Sequence, residues 1–202
     1  MNGATAAELR NMNDEDVMEQ LQVGVMQAFD IIVHRYKDRL HYFLHRYTHN
    51  HEDSEDLVQE TFLRVYRSRN SYQRIAKLST WIYTIALNLA RSMYKKKQRM
   101  SFISIHADES DPDDRKMEIT DTNILQDDKL HFKNCMIELE KALSELNDDF
   151  KEVIILRDVQ QLTYEEISVI TGAVMGTVKS RIYRARNQLC DLIGDFVELP
   201  MN

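Results

Sequence analysis

The sequence predicts an all-α protein in which two small helical domains are joined by an acidic, flexible linker. Glycine contributes 5 and proline 2 of the 202 residues, well below their average shares of about 7% and 5%. Sandwiches and barrels need many turn residues, so a chain this poor in them is excluded from both classes. Hydrophobic residues at 43% and charged residues at 29% are typical of a folded, water-soluble protein.

Neither a membrane segment nor a disulfide framework is expected. The longest uncharged run, residues 78–90, has 13 residues, whereas a bilayer crossing needs about 20. No basic and apolar leader opens the sequence. Cys135 and Cys190 are too few for a disulfide framework and lack metal-ligand spacing, so we interpret them as reduced thiols. The expected location is therefore the cytoplasm, without membrane contact.

Charge is distributed unevenly along the chain. The net charge is −7, and residues 108–128, with nine acidic and two basic residues, carry all of it. The rest of the chain has 24 acidic and 24 basic side chains, and the basic ones are clustered. Residues 91–99 (RSMYKKKQR) carry +5 and residues 179–186 (KSRIYRAR) carry +4. Two basic patches on either side of an acidic connector favour nucleic-acid binding in spite of the negative total.

Residues 14–100 are predicted to form the first domain. It begins with a short helix at residues 14–22, and residues 68–77 are predicted to be a loop. Between them a long helix has apolar residues at helical spacing over six turns. These are Phe29, Ile32, Val33, Tyr36, Leu40, Phe43, Leu44 and Tyr47.

Two further helices complete this domain. Asp53 or Ser54 is expected to cap the first of them, and Ser79 or Thr80 the second. Short polar side chains accept hydrogen bonds from the free N–H groups in the first turn of a helix, so they predict where a helix starts.

Residues 101–129 are predicted to be the linker, and residues 130–197 the second domain. Its most informative segment is 162–189, LTYEEISVITGAVMGTVKSRIYRARNQL. Thr163 predicts the start of a helix, and Gly172 predicts a sharp turn into the next one. This spacing indicates a helix-turn-helix.

The second helix of this motif presents a basic face, which consists of Lys179, Ser180, Tyr183 and Arg184. Such a helix fits the major groove of duplex DNA, where arginine and lysine reach guanine. The alternative is a solvated face on an ordinary helical hairpin. Four basic residues within eight positions, without an acid among them, favour DNA binding.

The basic cluster of the first domain lies near several aromatic residues. These are Tyr72, Trp81, Tyr83 and Tyr94. Rings interleaved with cations suit single-stranded DNA, because unstacked bases lie on the rings and phosphates meet the charges. The alternative is that Trp81 and Ile85 are simply part of the hydrophobic core.

An earlier helix of the same domain has an acidic face, formed by Asp53, Glu55, Asp56, Gln59 and Glu60. Such a run is usually no more than a solvated surface.

Three segments together resemble a known family. They are DLVQETFLRVYR (residues 56–67), LSTWIYTIALNLA (78–90) and the 162–189 segment. In this order they are similar to bacterial sigma factors of the extracytoplasmic-function group (ECF, group 4 of the sigma-70 superfamily). The resemblance covers about residues 14–100 and 130–195. It implies a two-domain subunit that binds core RNA polymerase and directs promoter-specific transcription initiation.

The resemblance implies three groups of site residues. The helix that grips the clamp coiled coil of the polymerase β′ subunit corresponds to Asp56, Gln59 and Glu60. The melted −10 element is held by Trp81, Ile85, Asn88, Arg91, Lys95, Lys96 and Lys97. Ile85 and Asn88 line the pocket for a flipped base. The −35 element is read by Lys179, Ser180, Tyr183 and Arg184, with Arg181 and Arg186 nearer the phosphates.

The implied partners are the β′ and β subunits of core polymerase, promoter DNA and an anti-sigma factor. The acidic linker passes through the polymerase cleft. Thr84 stands where the family often has arginine, which puts one −10 backbone contact in doubt. Val174 and Asn147 each stand where proline is frequent.

Two other classes of protein fit parts of the sequence. A helix-turn-helix transcription factor of the response-regulator type needs an upstream domain of alternating strands and helices, which the sequence does not indicate. A metal-binding or redox protein could use a row of histidines, since histidines at i and i+4 can bind zinc. The row consists of His34, His41, His45 and His49. We interpret it as a polar edge, because no acidic or cysteine ligand is placed on a neighbouring element with clear spacing.

No segment resembles a nucleophile motif, a phosphate loop or a pair of catalytic acids. We therefore predict that the chain is not an enzyme, and that it has no catalytic residues, metal site or cofactor of its own.

Overall fold

The computed structural model describes residues 6–104 and 126–194, and all regular structure in these ranges is helical. The α-helices are α1 (Ala6–Asn11), α2 (Asp14–Gln22), α3 (Met26–Thr48), α4 (His51–Arg67), α5 (Leu78–Ser104), α6 (Gln126–Glu145), α7 (Asp148–Ile154), α8 (Tyr164–Thr171) and α9 (Met175–Ile193). A 3₁₀ turn follows α4 at Arg69–Ser71, and a π turn extends α7 at Ile155–Val159. The all-α prediction is confirmed for this part of the chain. None of these helices has the length and apolar character that a membrane crossing requires.

The central helix of the first unit is α3, against which α2, α4 and α5 pack. Its buried apolar residues form one stripe: Ala28, Ile32, Tyr36, Leu40, Phe43, Leu44 and Tyr47. Six of the eight predicted stripe residues are buried, and Phe29 and Val33 are half-buried at its edge. Each fully buried apolar side chain contributes about 1.5–3 kcal/mol, so this stripe holds the first unit together.

The start of α4 differs from the prediction. Its N-cap is Asn50, whose side-chain oxygen accepts a hydrogen bond from the Asp53 N–H at 2.9 Å. Asp53 and Ser54 therefore lie inside the helix and do not cap it. Ser54 is fully buried, and its hydroxyl donates to the backbone carbonyl of His51 at 2.7 Å.

The start of α5 also differs from the prediction. The helix begins at Leu78, whose N–H donates to the carboxylate of Glu15 in α2 at 2.9 Å. A side chain from another helix thus takes the place of Ser79 or Thr80 at this terminus. Thr80 is buried instead.

The predicted helix-turn-helix is confirmed as α8 and α9. The Thr163 hydroxyl accepts from the Glu166 N–H at 3.2 Å, and the Glu166 carboxylate accepts from the Thr163 N–H at 2.8 Å. This reciprocal arrangement is a capping box. Gly172 ends α8 with φ at +74°, a left-handed conformation that glycine adopts without strain.

Both ends of the predicted linker, residues 101–129, are helical. α5 continues to Ser104 and α6 starts at Gln126, so a helix extends four residues into each end of the predicted linker. α5 contains neither glycine nor proline, and lysine, arginine, glutamine and methionine all favour helix. Residues 105–125, the rest of the predicted linker, and residues 195–197 of the predicted second domain lie outside the described residues.

The two helical units pack against each other. α5 lies against α8, and α3 contacts the π turn after α7. Several polar side chains of the first unit bond to the second unit across this interface, which we call the docking interface.

Candidate functional site

The outer face of α9 is basic and exposed. Val178, Ile182 and Ala185 are buried, because the spacing of four and three residues puts them on one side of the helix, facing α6, α7 and α8. The predicted −35 residues of the opposite side are exposed: Lys179, Ser180, Tyr183 and Arg184. The Tyr183 side chain is 68% exposed. This basic face of α9 is therefore accessible to solvent.

The two arginines predicted to lie near phosphates bond within the second unit. Arg181 Nη2 lies 2.5 Å from Asp149 of α7, and Arg186 Nη2 lies 2.5 Å from Asp158 of the π turn. Both pairs hold α9 against its neighbours. Surface ion pairs contribute about 0–1 kcal/mol each, so these two pairs add little to the stability of the unit.

The predicted polymerase-binding residues share one face of α4. Gln59 and Glu60 follow Asp56 by three and four residues, and the three side chains lie away from the buried side of the helix, which includes Leu57 and Thr61. Asp56 and Gln59 are exposed and Glu60 is half-buried. The Glu60 carboxylate accepts from Arg64 Nε at 2.9 Å on the same helix. The face is a small acidic and amide surface without apolar side chains at these three positions.

Three predicted −10 residues lie on one side of α5. Trp81, Ile85 and Asn88 are spaced by four and three residues; the first two are half-buried and Asn88 is exposed. The Trp81 ring packs on the ring of Tyr72, with 5.4 Å between centroids. Tyr72 is itself buried. Trp81 and Ile85 thus each pack on the core with one side and reach the surface with the other. Neither of the two alternatives, core residue or surface for a base, is excluded by this position.

The lysines at the end of α5 are exposed. Lys95 and Lys96 have no carboxylate in salt-bridge range among the described residues, whereas Lys97 pairs with Asp53 of α4. The predicted cluster is therefore a positive surface beside the acidic start of α4.

Arg91, a further predicted −10 residue, lies in the docking interface. Its Nε and Nη2 donate to the two carboxylate oxygens of Glu152 in α7, at 2.7 and 2.5 Å. The Glu152 carboxylate also accepts from the Tyr47 hydroxyl at 3.3 Å, and the Glu152 residue is only 2% exposed. The bond to Glu152 raises the pKa of Arg91 further above its usual range. In this arrangement Glu152 occupies both Nε and Nη2 of the guanidinium.

Tyr83 is also part of the docking interface. The sequence grouped it with rings that could stack on bases, but it is fully buried, and its ring packs edge-on against Phe43. Its hydroxyl donates to the side-chain oxygen of Gln160 at 2.5 Å, and Gln160 in turn donates to the Arg39 carbonyl at 3.4 Å. Burial raises the pKa of Tyr83 to about 12. The stacking interpretation of Tyr83 is therefore wrong.

Sequence reasoning missed the residues of the second unit that form this interface. They are Glu152, Gln160 and Glu166. Glu166 pairs with Lys77 at 2.8 Å in addition to its bond in the capping box. No local signal marked Glu152 as buried, because a carboxylate directly before an apolar residue is also found at Asp56, which is exposed.

Two family models match the chain over both helical units. Residues 32–100 match sigma-70 region 2, and residues 136–189 match sigma-70 region 4. Both segments lie inside the two domains that the sequence predicts.

The chain is similar to sigma factors over most of its length. It is 31% identical over 179 residues to the ECF RNA polymerase sigma-E factor of Haemophilus influenzae, covering 88% of this chain and 94% of that protein. It is 34% identical over 170 residues to the ECF RNA polymerase sigma factor SigE of Mycolicibacterium smegmatis. That match covers 84% of this chain and 63% of the length of that protein.

A solved structure has a similar fold. It is the sigma factor RpoE from Bartonella quintana in complex with the anti-sigma factor NepR, at a TM-score of 0.68 and 27% sequence identity, covering 82% of this chain and 96% of that one. The fold and the paired region 2 and region 4 segments define a transcription factor of the sigma-70 type. The chain belongs to the ECF family of RNA polymerase sigma factors.

Proposed function

We propose that this sigma factor binds core RNA polymerase, reads the −35 element as duplex DNA with α9 and holds the melted −10 element with α5. The main support for the proposal is that α9 has one buried apolar side and one exposed basic side. Its buried side is fixed on the second unit, so its basic side is presented as a rigid surface. Arg184 and Lys179 then reach base edges, while Arg181 and Arg186 exchange their carboxylates for phosphates.

The face of α4 formed by Asp56, Gln59 and Glu60 is proposed to bind the β′ clamp coiled coil. Its exposure supports a surface contact in which the charges orient the partner. The exposed Leu63, three residues after Glu60, adds an apolar side chain to the same face. The β subunit is proposed as a second partner within the core enzyme.

The side of α5 formed by Trp81, Ile85 and Asn88 is proposed to take an unstacked base of the −10 element. A half-buried ring and aliphatic side chain supply a stacking surface, and the Asn88 amide supplies donors and an acceptor for a base edge. The exposed Lys95 and Lys96 lie two turns further along the helix and suit the phosphates.

The docking interface has to open for both elements to be read. Positions −35 and −10 are about 25 base pairs apart, roughly 85 Å at 3.4 Å per pair. α8 contacts both α5 and α9 in the docked arrangement, so the two DNA-binding surfaces are much closer than this. Residues 105–125 are 21 residues long and span at most about 70 Å when extended, so the two helical units have to cover the remaining distance of roughly 15 Å. Opening also releases Arg91 from Glu152.

An anti-sigma factor is proposed as a regulatory partner. The support is the fold similarity to the Bartonella quintana sigma factor, whose structure contains the anti-sigma factor NepR. The proposed roles require no enzymatic activity of the chain itself, since catalysis belongs to the polymerase core.

Transcription of fragmented bacterial genomic DNA by core polymerase, with and without this protein, tests the proposal. We expect new transcript starts that share two upstream motifs at fixed spacing. The Arg184→Ala variant should lose about 1–3 kcal/mol of binding at the −35 element, with core binding unchanged. Lys141→Ala, an exposed cation of α6, serves as its control. Equal loss on random DNA would reassign Arg184 to a phosphate contact, and an absence of new starts together with no core binding would refute the proposal.

The polymerase contact is tested separately. Alanine at Asp56, Gln59 and Glu60 should weaken core binding while the circular dichroism spectrum stays unchanged. Asp30→Ala removes an exposed carboxylate from α3 and should bind core as the wild type does. Unchanged affinity of the triple variant would remove α4 from the proposed interface.

A further inference from the structure

A cluster of metal-binding side chains lies where α3 ends and α4 begins. His41 belongs to α3, and His51 and Glu55 belong to the first residues of α4. One ligand atom from each of the three side chains lies within 4.8 Å of the other two. None of the three belongs to the proposed DNA or polymerase contacts.

The connection between the helices brings these side chains together. His49 ends α3 in a left-handed conformation with φ at +53°, and Asn50 caps α4 directly afterwards. The chain therefore reverses within two residues, and the start of α4 packs back on the end of α3. The sequence predicted a histidine row without a neighbouring acidic ligand, and this reversal supplies Glu55.

We propose that His41, His51 and Glu55 bind a divalent transition-metal ion, and that the neighbouring His45 becomes a fourth ligand when its ring rotates toward them. Two or three imidazoles with one carboxylate form a ligand set that zinc accepts readily. Such a site would link α3 to α4 and stabilise their hairpin. The proposal goes beyond the proposed sigma-factor activity and does not depend on it.

The distances fit zinc after small side-chain rotations. Tetrahedral zinc with bonds of about 2.0–2.1 Å places its ligand atoms about 3.3 Å apart. His51 Nε2 and Glu55 Oε1 already lie 3.3 Å apart, and the centroids of the His41 and His51 rings lie 5.2 Å apart. The His51 and Glu55 side chains are 68% and 56% exposed. They are therefore free to rotate and shorten the widest separation.

His45 provides a second, independent observation. Its ring lies 6.0 Å from that of His41 and 6.3 Å from that of His51, between centroids. Its Nδ1 atom is buried and has no hydrogen-bond partner within residues 6–104 and 126–194. Buried polar atoms are seldom left without a partner, and rotation of the His45 ring toward a cation bound by the other three side chains would give this nitrogen one.

One imidazole of the cluster also contacts a hydroxyl group of α4. The Ser54 hydroxyl lies 3.4 Å from His41 Nε2 and is able to orient the ring.

Zinc titration of the full chain tests this proposal. The protein is first dialysed against a chelator, and Zn²⁺ is then added in competition with a chromogenic indicator. We expect one equivalent to bind and the thermal unfolding midpoint to rise. Loss of one ligand should weaken binding by at least roughly 10- to 100-fold in both His51→Ala and Glu55→Gln. Co²⁺ in place of Zn²⁺ should give the intense visible absorption of a four-coordinate site.

His34→Ala is the matched control, because His34 is an exposed histidine of α3 outside the cluster. It should bind zinc as the wild type does. Both His51 and Glu55 are exposed, so their variants are expected to fold, and circular dichroism checks this. Failure of the wild type to retain one equivalent of zinc would overturn the proposal. Equal affinity of the wild type and the folded His51→Ala variant would overturn it as well.

Discussion

The bond between Arg91 and Glu152 should stabilise the docked arrangement of the two units. The perturbation is Glu152→Gln, which preserves the shape of the side chain and removes its charge. Glu152 is 2% exposed and accepts three hydrogen bonds, two from Arg91 and one from Tyr47. The neutral glutamine side chain leaves the Arg91 guanidinium without its counterion. Its NH₂ group, which is a donor, then faces the N–H donors of Arg91.

The expected loss follows from the burial of the pair. Removal of one partner from a fully buried ion pair costs about 3–5 kcal/mol. The Arg91 side chain is 30% exposed, so water solvates part of its charge, and we expect a smaller loss of about 2 kcal/mol. A loss of this size shifts the docking equilibrium roughly 30-fold toward the separated units.

Urea unfolding measures this loss, and small-angle X-ray scattering reports whether the units separate. Glu165→Gln is the control, since Glu165 is an exposed carboxylate of α8 that adjoins the interface. A double-mutant cycle with Arg91→Met measures the interaction energy between the two side chains. The loss of unfolding free energy in the double variant should be about 2 kcal/mol smaller than the sum of the two single losses. A coupling near zero, or equal losses in Glu152→Gln and Glu165→Gln, would refute the reasoning.

Three further predictions concern the docking interface and the helix-turn-helix. Because the pKa of Tyr83 is about 12 in the folded protein and about 10 in the unfolded chain, the unfolded chain loses this proton first. The free energy of unfolding should therefore fall between pH 10 and 12, by up to about 1.4 kcal/mol per pH unit. Tyr83→Phe should lack this part of the fall. Equal slopes of unfolding free energy against pH in the wild type and the variant, measured by urea unfolding at pH 10 to 12, would contradict the raised pKa of Tyr83. Gly172→Ala should lose about 1 kcal/mol in urea unfolding, because φ is +74° and an added Cβ meets no atom within 4 Å. Gly176→Ala, inside α9, should gain roughly 0.5 kcal/mol, and a loss in both would point to a steric cause. Thr163→Ala should lose about 1 kcal/mol of stability with its capping bond, and Thr163→Ser should retain most of it; equal losses in the two variants would argue against the cap.

Features that depend on neighbours in sequence were predictable from the sequence alone. The buried stripe of α3, the capping box at Thr163 and the turn at Gly172 each involve residues within a few turns of one helix. The basic face of α9 follows from the same periodicity, because Val178 and Ile182 have to face inward. The extension of α5 beyond residue 100 was missed, since charge and composition suggested a linker where helix propensity continued.

The tertiary structure decided which groups from distant parts of the chain meet. The Glu15 carboxylate caps α5 from 63 residues away, and no local pattern indicates that bond. Arg91 lies in a basic cluster, but the fold sets it against a buried carboxylate 61 residues later.

Tertiary packing also decided which side chains surround the histidine row of α3. Spacing places His41 and His45 on one side of a helix, and only the reversal at His49 brings Glu55 beside them. The sequence by itself therefore determined most of the helices, their inward faces and the family, but not where α4 and α5 begin or where α5 ends. Packing between the helices decided which charges are paired and which remain open to a partner, because that depends on distances in space and not on spacing along the chain.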